Sequence, residues 1–173
     1  MVISKPLRRY DQLDSGALVR LFRQPDVYAP SADDHTDPSQ LQGFIDGCLG
    51  NKLIFALGRN PKQEAFIFAP SHNATTYSAH FAVRKDCRDG QVVRKTAEAG
   101  RWMFENTTCR GIITFIREDN AAARSALGQL GMRRIGVIDK SLLHNGKWLN
   151  EIVYYSTVDD FNRLWADELG EVA

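Results

Sequence analysis

"DNAAARSALGQLGMRRIG" spans residues 119–136. Asn120 is a preferred N-cap, the alanines after it favour a helix, and Gly131 stands where a helix ends in a left-handed residue. Met132 then leads into "RRIGVID", a strand-like run. A short capped helix that passes straight into a strand needs a sheet to cover, and the flanking segments supply one.

Upstream, "GIITFI" (111–116) is a continuous apolar run of strand length, the pattern of a strand buried on both faces. Before it, "QVVRKTAEAGRWMFEN" (91–106) places Val92, Val93, Ala97, Gly100, Met103 and Phe104 on one helical side and Arg94, Lys95, Glu98 and Arg101 on the other. "TTYSAHFAVR" (75–84) alternates: Tyr77, Ala79, Phe81 and Val83 share one face, Ser78, His80, Ala82 and Arg84 the other. Strand, helix, strand at this spacing predicts a parallel pair with a right-handed crossover. Downstream, residues 133–143 and 150–156 are strands around Asn145-Gly146, a strong hairpin signal. Thr157 and Asp160 have the spacing of a capping box for a last helix with Phe161, Leu164, Trp165 and Leu169 as its apolar stripe.

The first part of the chain reads as a short strand near Lys5 to Tyr10 and a helix within 11–22 carrying Leu13, Ala17, Leu18, Leu21 and Phe22. A second helix at about 38–49 is capped by Asp37, with Pro38 at its first position. "KLIFALG" (52–58) and "EAFIFAP" (64–70) predict antiparallel strands about a turn in "RNPKQ". The predicted order is strand, two helices, three strands, helix, strand, helix, two strands, helix.

At 173 residues and 43% hydrophobic, the chain fits one domain, 1–173. Lys plus Arg number 22 against 21 Asp plus Glu, which argues against a nucleic-acid binder acting through bulk charge. No apolar run reaches the roughly 20 residues that span a bilayer, and the N-terminal stretch lacks a signal-like apolar core, so a soluble, cytoplasmic protein with no membrane partner is expected. Cys48, Cys87 and Cys109 have no C-x-x-C spacing and read as free thiols.

This order and three local signals resemble the GNAT superfamily of acyl-CoA N-acyltransferases, over nearly the whole chain. In these enzymes an Asn opens a short helix, a small residue follows three positions on, and a Gly-Phe corner leads into a strand; Asn120, Ala123, Gly131 and Met132 stand in those places. "RRIGVIDKSLLHNGKWLNEIVYYS" is similar to the closing hairpin of ribosomal-protein alanine acetyltransferases, with Asn150 where those relatives often carry Asp. "VRKDCRDGQVVRKTAEAG" lies where the family grips the CoA pyrophosphate. A narrower likeness joins "LFRQPDVYAPSADD" and "YSAHFAVRKDCRDG" to GNAT-like proteins of bacteriophages and prophages.

The resemblance implies an α/β (α+β) acyl-CoA N-acyltransferase fold. Its central sheet would be mixed and mostly antiparallel, six to seven strands with one central parallel pair, flanked by helices. It further implies transfer of an acetyl group from acetyl-CoA to an amine of a small molecule or protein by direct attack. Carried over residue by residue, Phe81, Ala82 and Val83 would run along the pantetheine. Arg88, Asp89, Gly90, Gln91, Val92, Val93 and Arg94 would meet the phosphates, joined from the next helix by Asn120 and Arg124. His80, on the same strand, is the candidate base, because an imidazole titrates near working pH; the alternative is a structural histidine at the sheet surface.

Departures from the pattern keep a second reading open. Asp89, Gln91 and Val93 replace expected glycines, and Leu127 stands where a catalytic tyrosine is common. The alternative is a non-catalytic GNAT-fold binding or assembly protein of phage or prophage origin. Tyr154 and Tyr155 are substitute acids or packing residues. "DDHTD" (33–37) reads as a solvated loop rather than a metal site, with Asp33, Asp34 and His35 available to a cationic amine. The basic residues from Arg84 to Arg101 either attract CoA phosphates or form a solvated helix face, with Arg94 and Glu98 at pairing distance in sequence. An exposed Trp165 would indicate a partner or homodimer contact; a buried one would simply dock the last helix.

Overall fold

A computed structural model describes residues 8–9, 15–27, 34, 37–50, 54–56, 65–85 and 90–172. In chain order these form β1 (Arg8–Arg9), α1 (Ser15–Phe22), a 3-10 turn (Pro38–Gln40) running into α2 (Leu41–Gly50), β2 (Ile54–Ala56) and β3 (Ala65–Phe68). After them come β4 (Thr76–Ser78), β5 (His80–Val83), α3 (Gly90–Asn106), β6 (Gly111–Arg117), α4 (Ala121–Gln129), β7 (Arg133–His144), β8 (Lys147–Thr157) and α5 (Val158–Leu169). The expected element order is present with one strand more, since 75–84 divides in two, and the strands number eight among the described residues rather than the six to seven expected. The predicted turn at 59–63, the start of the first strand and residues 11–14 lie outside the described residues.

The strands form two four-stranded sheets, β1-β2-β3-β5 and β4-β6-β8-β7. β4 and β6 are the expected parallel pair, in register Thr76 with Gly111 through Ser78 with Ile113; the other pairings are antiparallel. The stretch 75–84, expected as one strand, is two strands that belong to different sheets. The reason lies at Ala79. Its N–H donates to the Ile113 carbonyl at 2.8 Å, and its carbonyl accepts from the Thr114 hydroxyl at 2.8 Å. A side chain thus takes the place of the next backbone rung, and β5 continues paired only with β3, from Phe68–His80 to Ala65–Val83. For the same reason β6 is buried at Gly111, Ile112 and Thr114 but only half-buried from Phe115 to Arg117.

The alternation of β5 separates two cores. Phe66, Phe68 and Ala82 pack with Leu18, Leu21 and Ile45 of α1 and α2. On the opposite face Ile67, Ala79 and Ile112 pack with Ala97 and Met103 of α3 and with Phe161 and Trp165 of α5. Phe55, Phe66 and Phe68 are fully buried, each contributing about 1.5–3 kcal/mol from burial.

The hairpin between β7 and β8 turns at Asn145 (φ 50°) and Gly146 (φ 71°), the left-handed pair that a two-residue loop requires. Asn150 ties its base together: Oδ1 accepts from Lys140 N–H at 2.9 Å, where β7 bulges, and Nδ2 donates to Glu118 at 3.2 Å. The backbone N–H of Asn150 donates to the same carboxylate at 3.0 Å. Only an amide serves both sides. Asn150→Asp is therefore expected to set a carboxylate against Glu118 and lower unfolding free energy by about 1–3 kcal/mol. Urea titrations of both proteins near neutral pH measure it.

Asp160 forms the capping box of α5 with Thr157. Burial favours its neutral acid, but the Thr157 amide, the Arg133 guanidinium, the Thr157 hydroxyl and Arg163 outweigh that and bring its pKa from 3.8 down to about 2. A carboxyl whose pKa is depressed by folding contributes stability above the unfolded value and loses it as pH falls through the folded one. Asp160→Asn is expected to cost about 2 kcal/mol near pH 6, with the difference from wild type vanishing as the pH approaches 2.

Candidate functional site

Beyond Ala79 the two sheets part, and β5 and the second half of β6 form the walls of a slot. Amides alternate along the strand: Ser78 N–H donates to the Pro70 carbonyl at 2.9 Å, and Ala79 N–H turns the other way to Ile113. Continued along β5, the alternation aims the Phe81 amide into the slot, where no described strand meets it. The Phe81 and Val83 side chains are half-buried against the core below α3, whereas Ala82 is fully buried under α1 and α2. Of the three residues expected to line the pantetheine, Phe81 thus offers the slot a backbone donor, whereas Ala82 turns its side chain under α1 and α2.

His80 shares its face with Ser78 and Ala82, the side covered by α1 and α2. It is solvent-exposed, and its Nε2 lies 3.1 Å from the Ser78 hydroxyl, which is itself buried. Desolvation by the surrounding protein lowers the His80 pKa from its ordinary value, which favours the neutral ring. A neutral imidazole carries one protonated and one unprotonated ring nitrogen, and the latter is a base. Ser78 was the missed partner; its signal was the i, i+2 spacing on an alternating strand.

A six-residue connection leads from β5 to α3, and in it Arg88 and Asp89 lie outside the described residues. Gly90 opens α3, with Gln91, Val92 and Val93 half-buried in its first turn. The N–H groups of a first turn have no carbonyl of their own helix to bond and favour an anion. Further along, Arg94 faces Glu98 at 3.6 Å and Glu168 at 3.7 Å, Lys95 bonds Glu98, and Arg101 bonds Glu105 at 2.7 Å. The Arg94–Glu98 pair is the one that spacing predicted; the pairs of Lys95 and Arg101 complete the same helix face.

Asn120 caps α4, its Oδ1 accepting from Ala123 N–H at 3.1 Å. The cap uses the oxygen alone, and no described residue receives its Nδ2. One turn later Arg124 carries a buried Nε with no hydrogen-bond partner. Such a donor costs about 1–3 kcal/mol unless an acceptor reaches it. Leu127 is buried at 2% exposure and makes no polar contact. The corner that follows needs its glycine: Gly131 has φ 75°, and a Cβ there would sit 2.9 Å from Leu164.

Other candidates resolve into structural roles. The Tyr155 ring lies over Gly111, where an added Cβ would fall 2.0 Å from its hydroxyl, and Tyr154 is half-buried against the core. Asp34 directs its carboxylate to the hairpin turn, accepting from Asn145 N–H at 2.9 Å and Gly146 N–H at 2.8 Å. This corrects its expected use by an amine; Asp33 and His35 lie outside the described residues. Trp165 is buried at 8% exposure and docks α5, so it presents no dimer contact. Burial raises the Cys109 thiol to about 11, which makes it inert; Cys87 lies outside the described residues. Among the described residues no cluster could hold a metal ion, and no helix is long and apolar enough to cross a membrane.

Solved structures share this arrangement. A ribosomal-protein-alanine N-acetyltransferase from Brucella melitensis aligns with TM-score 0.72 at 15% identity, over 88% of this chain and 99% of that one. A spermidine N-acetyltransferase from Vibrio cholerae, in complex with CoA and spermine, gives 0.73 at 12% identity over 90% and 96%. Mycobacterium smegmatis RimJ, in complex with CoA-disulfide, gives 0.66 at 17% identity over 96% and 90%. The fold is therefore the mixed α/β acyl-CoA N-acyltransferase fold of GNAT acetyltransferases. No curated protein sequence matches the chain. Residues 71–167, more than half of its length, match the family described as "Protein of unknown function (DUF2824)", and the chain belongs to that family.

Proposed function

We propose that the protein is an acyl-CoA-dependent N-acyltransferase that accepts acetyl-CoA among its donors, with a primary amine of a small molecule or protein as acceptor. The observation that carries this is the slot that opens at Ala79 with the Phe81 amide aimed into it. The residues present fit the donor. The orphaned Arg124 Nε needs an acceptor oxygen, Asn120 Nδ2 is a second donor beside it, and the first turn of α3 from Gly90 to Val93 suits a diphosphate. Arg88 precedes that turn in the chain. Arg94 is held only by solvent-exposed ion pairs, which are worth little and yield to a phosphate.

The donor supplies an acyl group activated as a thioester. The Phe81 N–H polarises its carbonyl, a role in which one positioned donor is worth about 3–4 kcal/mol. The amine nitrogen attacks the carbonyl carbon, the C–N bond forms and the C–S bond breaks. The amine's surplus proton passes to His80, and the departing thiolate takes one from solvent, since Leu127 offers none. His80 shares the α1/α2 side of the sheet with Ala82, and its role as base supports an acceptor approaching from that side. The related structures named above include enzymes for a protein alanine and for spermidine, so a peptide N-terminus and a polyamine are the acceptors to try first.

Calorimetry with acetyl-CoA tests the donor. Binding below millimolar concentration is expected, weakened about fivefold or more by Arg124→Ala; no binding at millimolar concentration overturns the enzyme reading and leaves a GNAT-fold binding protein. Thiol release with alanyl peptides and spermidine tests the chemistry. His80→Gln is expected to lower kcat by about 100-fold or more with little change in the KM for acetyl-CoA. Because desolvation lowers the His80 pKa, protonation of the imidazole should lower the wild-type rate on the acid side of the ordinary histidine range, a limb that His80→Gln should lack. Full turnover in the variant would remove the histidine from the mechanism.

A further inference from the structure

A cavity of about 40 Å³ lies in the core on the α3 side of the slot. Ala79 and Phe81, which border the slot, also border the cavity, as does Met132 beyond the Gly131 corner. The void exists because small residues meet there: Ala79 on the strand faces Ala97 and Gly100 on α3. Its size admits one or two carbons beyond an acetyl group, and more than one water. Its lining is apolar apart from three groups. The Thr96 hydroxyl donates to Val92 at 2.8 Å, and the Ser156 hydroxyl has only a long contact to the Thr157 carbonyl at 3.4 Å. The third belongs to Trp165, a lining residue only 8% exposed whose indole N–H is buried and has no hydrogen-bond partner.

An indole N–H is a donor only, and in a core it needs an acceptor. A plain alkyl chain would fill the void and leave that donor orphaned. No described cation lines the cavity, so a carboxylate is unsuited. A neutral oxygen on a short chain satisfies both the shape and the donor. We propose that the cavity is an acyl-chain pocket, and that the preferred donor thioester carries a chain of three or four carbons with a hydroxyl or keto oxygen that accepts from Trp165. This rests on the donor site proposed above and makes it selective for something larger than acetyl.

Calorimetry of the full chain with CoA, acetyl-CoA, butyryl-CoA and 3-hydroxybutyryl-CoA decides it. The expected order is 3-hydroxybutyryl tighter than butyryl and butyryl tighter than acetyl, with the first and last about tenfold or more apart. Trp165→Phe keeps an apolar ring and removes the donor, so it should bring the hydroxylated ligand down to butyryl and leave acetyl-CoA unchanged. Ala97→Val narrows the void and should weaken both longer ligands while sparing acetyl-CoA, which keeps the test open if the tryptophan variant folds poorly. Equal affinity for the three thioesters, or tightest binding of acetyl-CoA, overturns the pocket and leaves a void holding water only. Failure of all four ligands to bind overturns the donor site itself, and the pocket with it.

Discussion

The bonds around Ala79 organise this molecule. A backbone amide is obliged to find a partner when it is withdrawn from water, and Ala79 meets that obligation on the β6 side with one backbone bond to Ile113 and one side-chain bond from Thr114. Because a hydroxyl completes the apex, the backbone of β6 is released from the next rung. The strands diverge there without leaving a buried polar group at the point of divergence. The two sheets, the two cores on their opposite faces and the amide of Phe81 in the gap all follow from that change of partner.

Most of the fold was legible because it is written in local signals. Asn120 and the Thr157–Asp160 pair mark helix starts through their own hydrogen bonds, and Asn145-Gly146 marks a turn through its backbone preference. The alternation of Tyr77, Ala79, Phe81 and Val83 against Ser78, His80 and Ala82 correctly separated the two faces. The break within that strand was not legible, because alternation continues straight through it: the break depends on Thr114, 35 positions away, whose hydroxyl replaces a rung. Long-range substitution of a side chain for backbone leaves no periodic trace.

The site divides along the same line. Phe81, Val83, His80 and Asn120 were placed by position on a strand or helix, and each stands where that position puts it. What escaped were partnerships: Ser78 with His80, Asp34 with the hairpin turn, Asn150 with Glu118 and Lys140. The basic run of α3 shows the converse. Spacing alone predicted the Arg94–Glu98 pair, since i, i+4 neighbours on a helix are geometrically bound to meet. Trp165 combines both lessons: its place in the apolar stripe was plain, whereas its orphaned N–H appears only once the walls around it are assembled.

The contact between Asp34 and the hairpin turn also has an entropic meaning. The turn itself is closed by adjacent residues, whereas the carboxylate that receives its amides lies 112 positions earlier in the chain. Closing a loop costs entropy that grows with the logarithm of its length, about 0.6 kcal/mol for each doubling. The turn is therefore a local closure, whereas the clasp by Asp34 carries the closure cost of the long stretch of chain between them. Opening the clasp alone leaves β7 paired with β8 along their register, so what the carboxylate holds is the place of the turn against the first part of the chain.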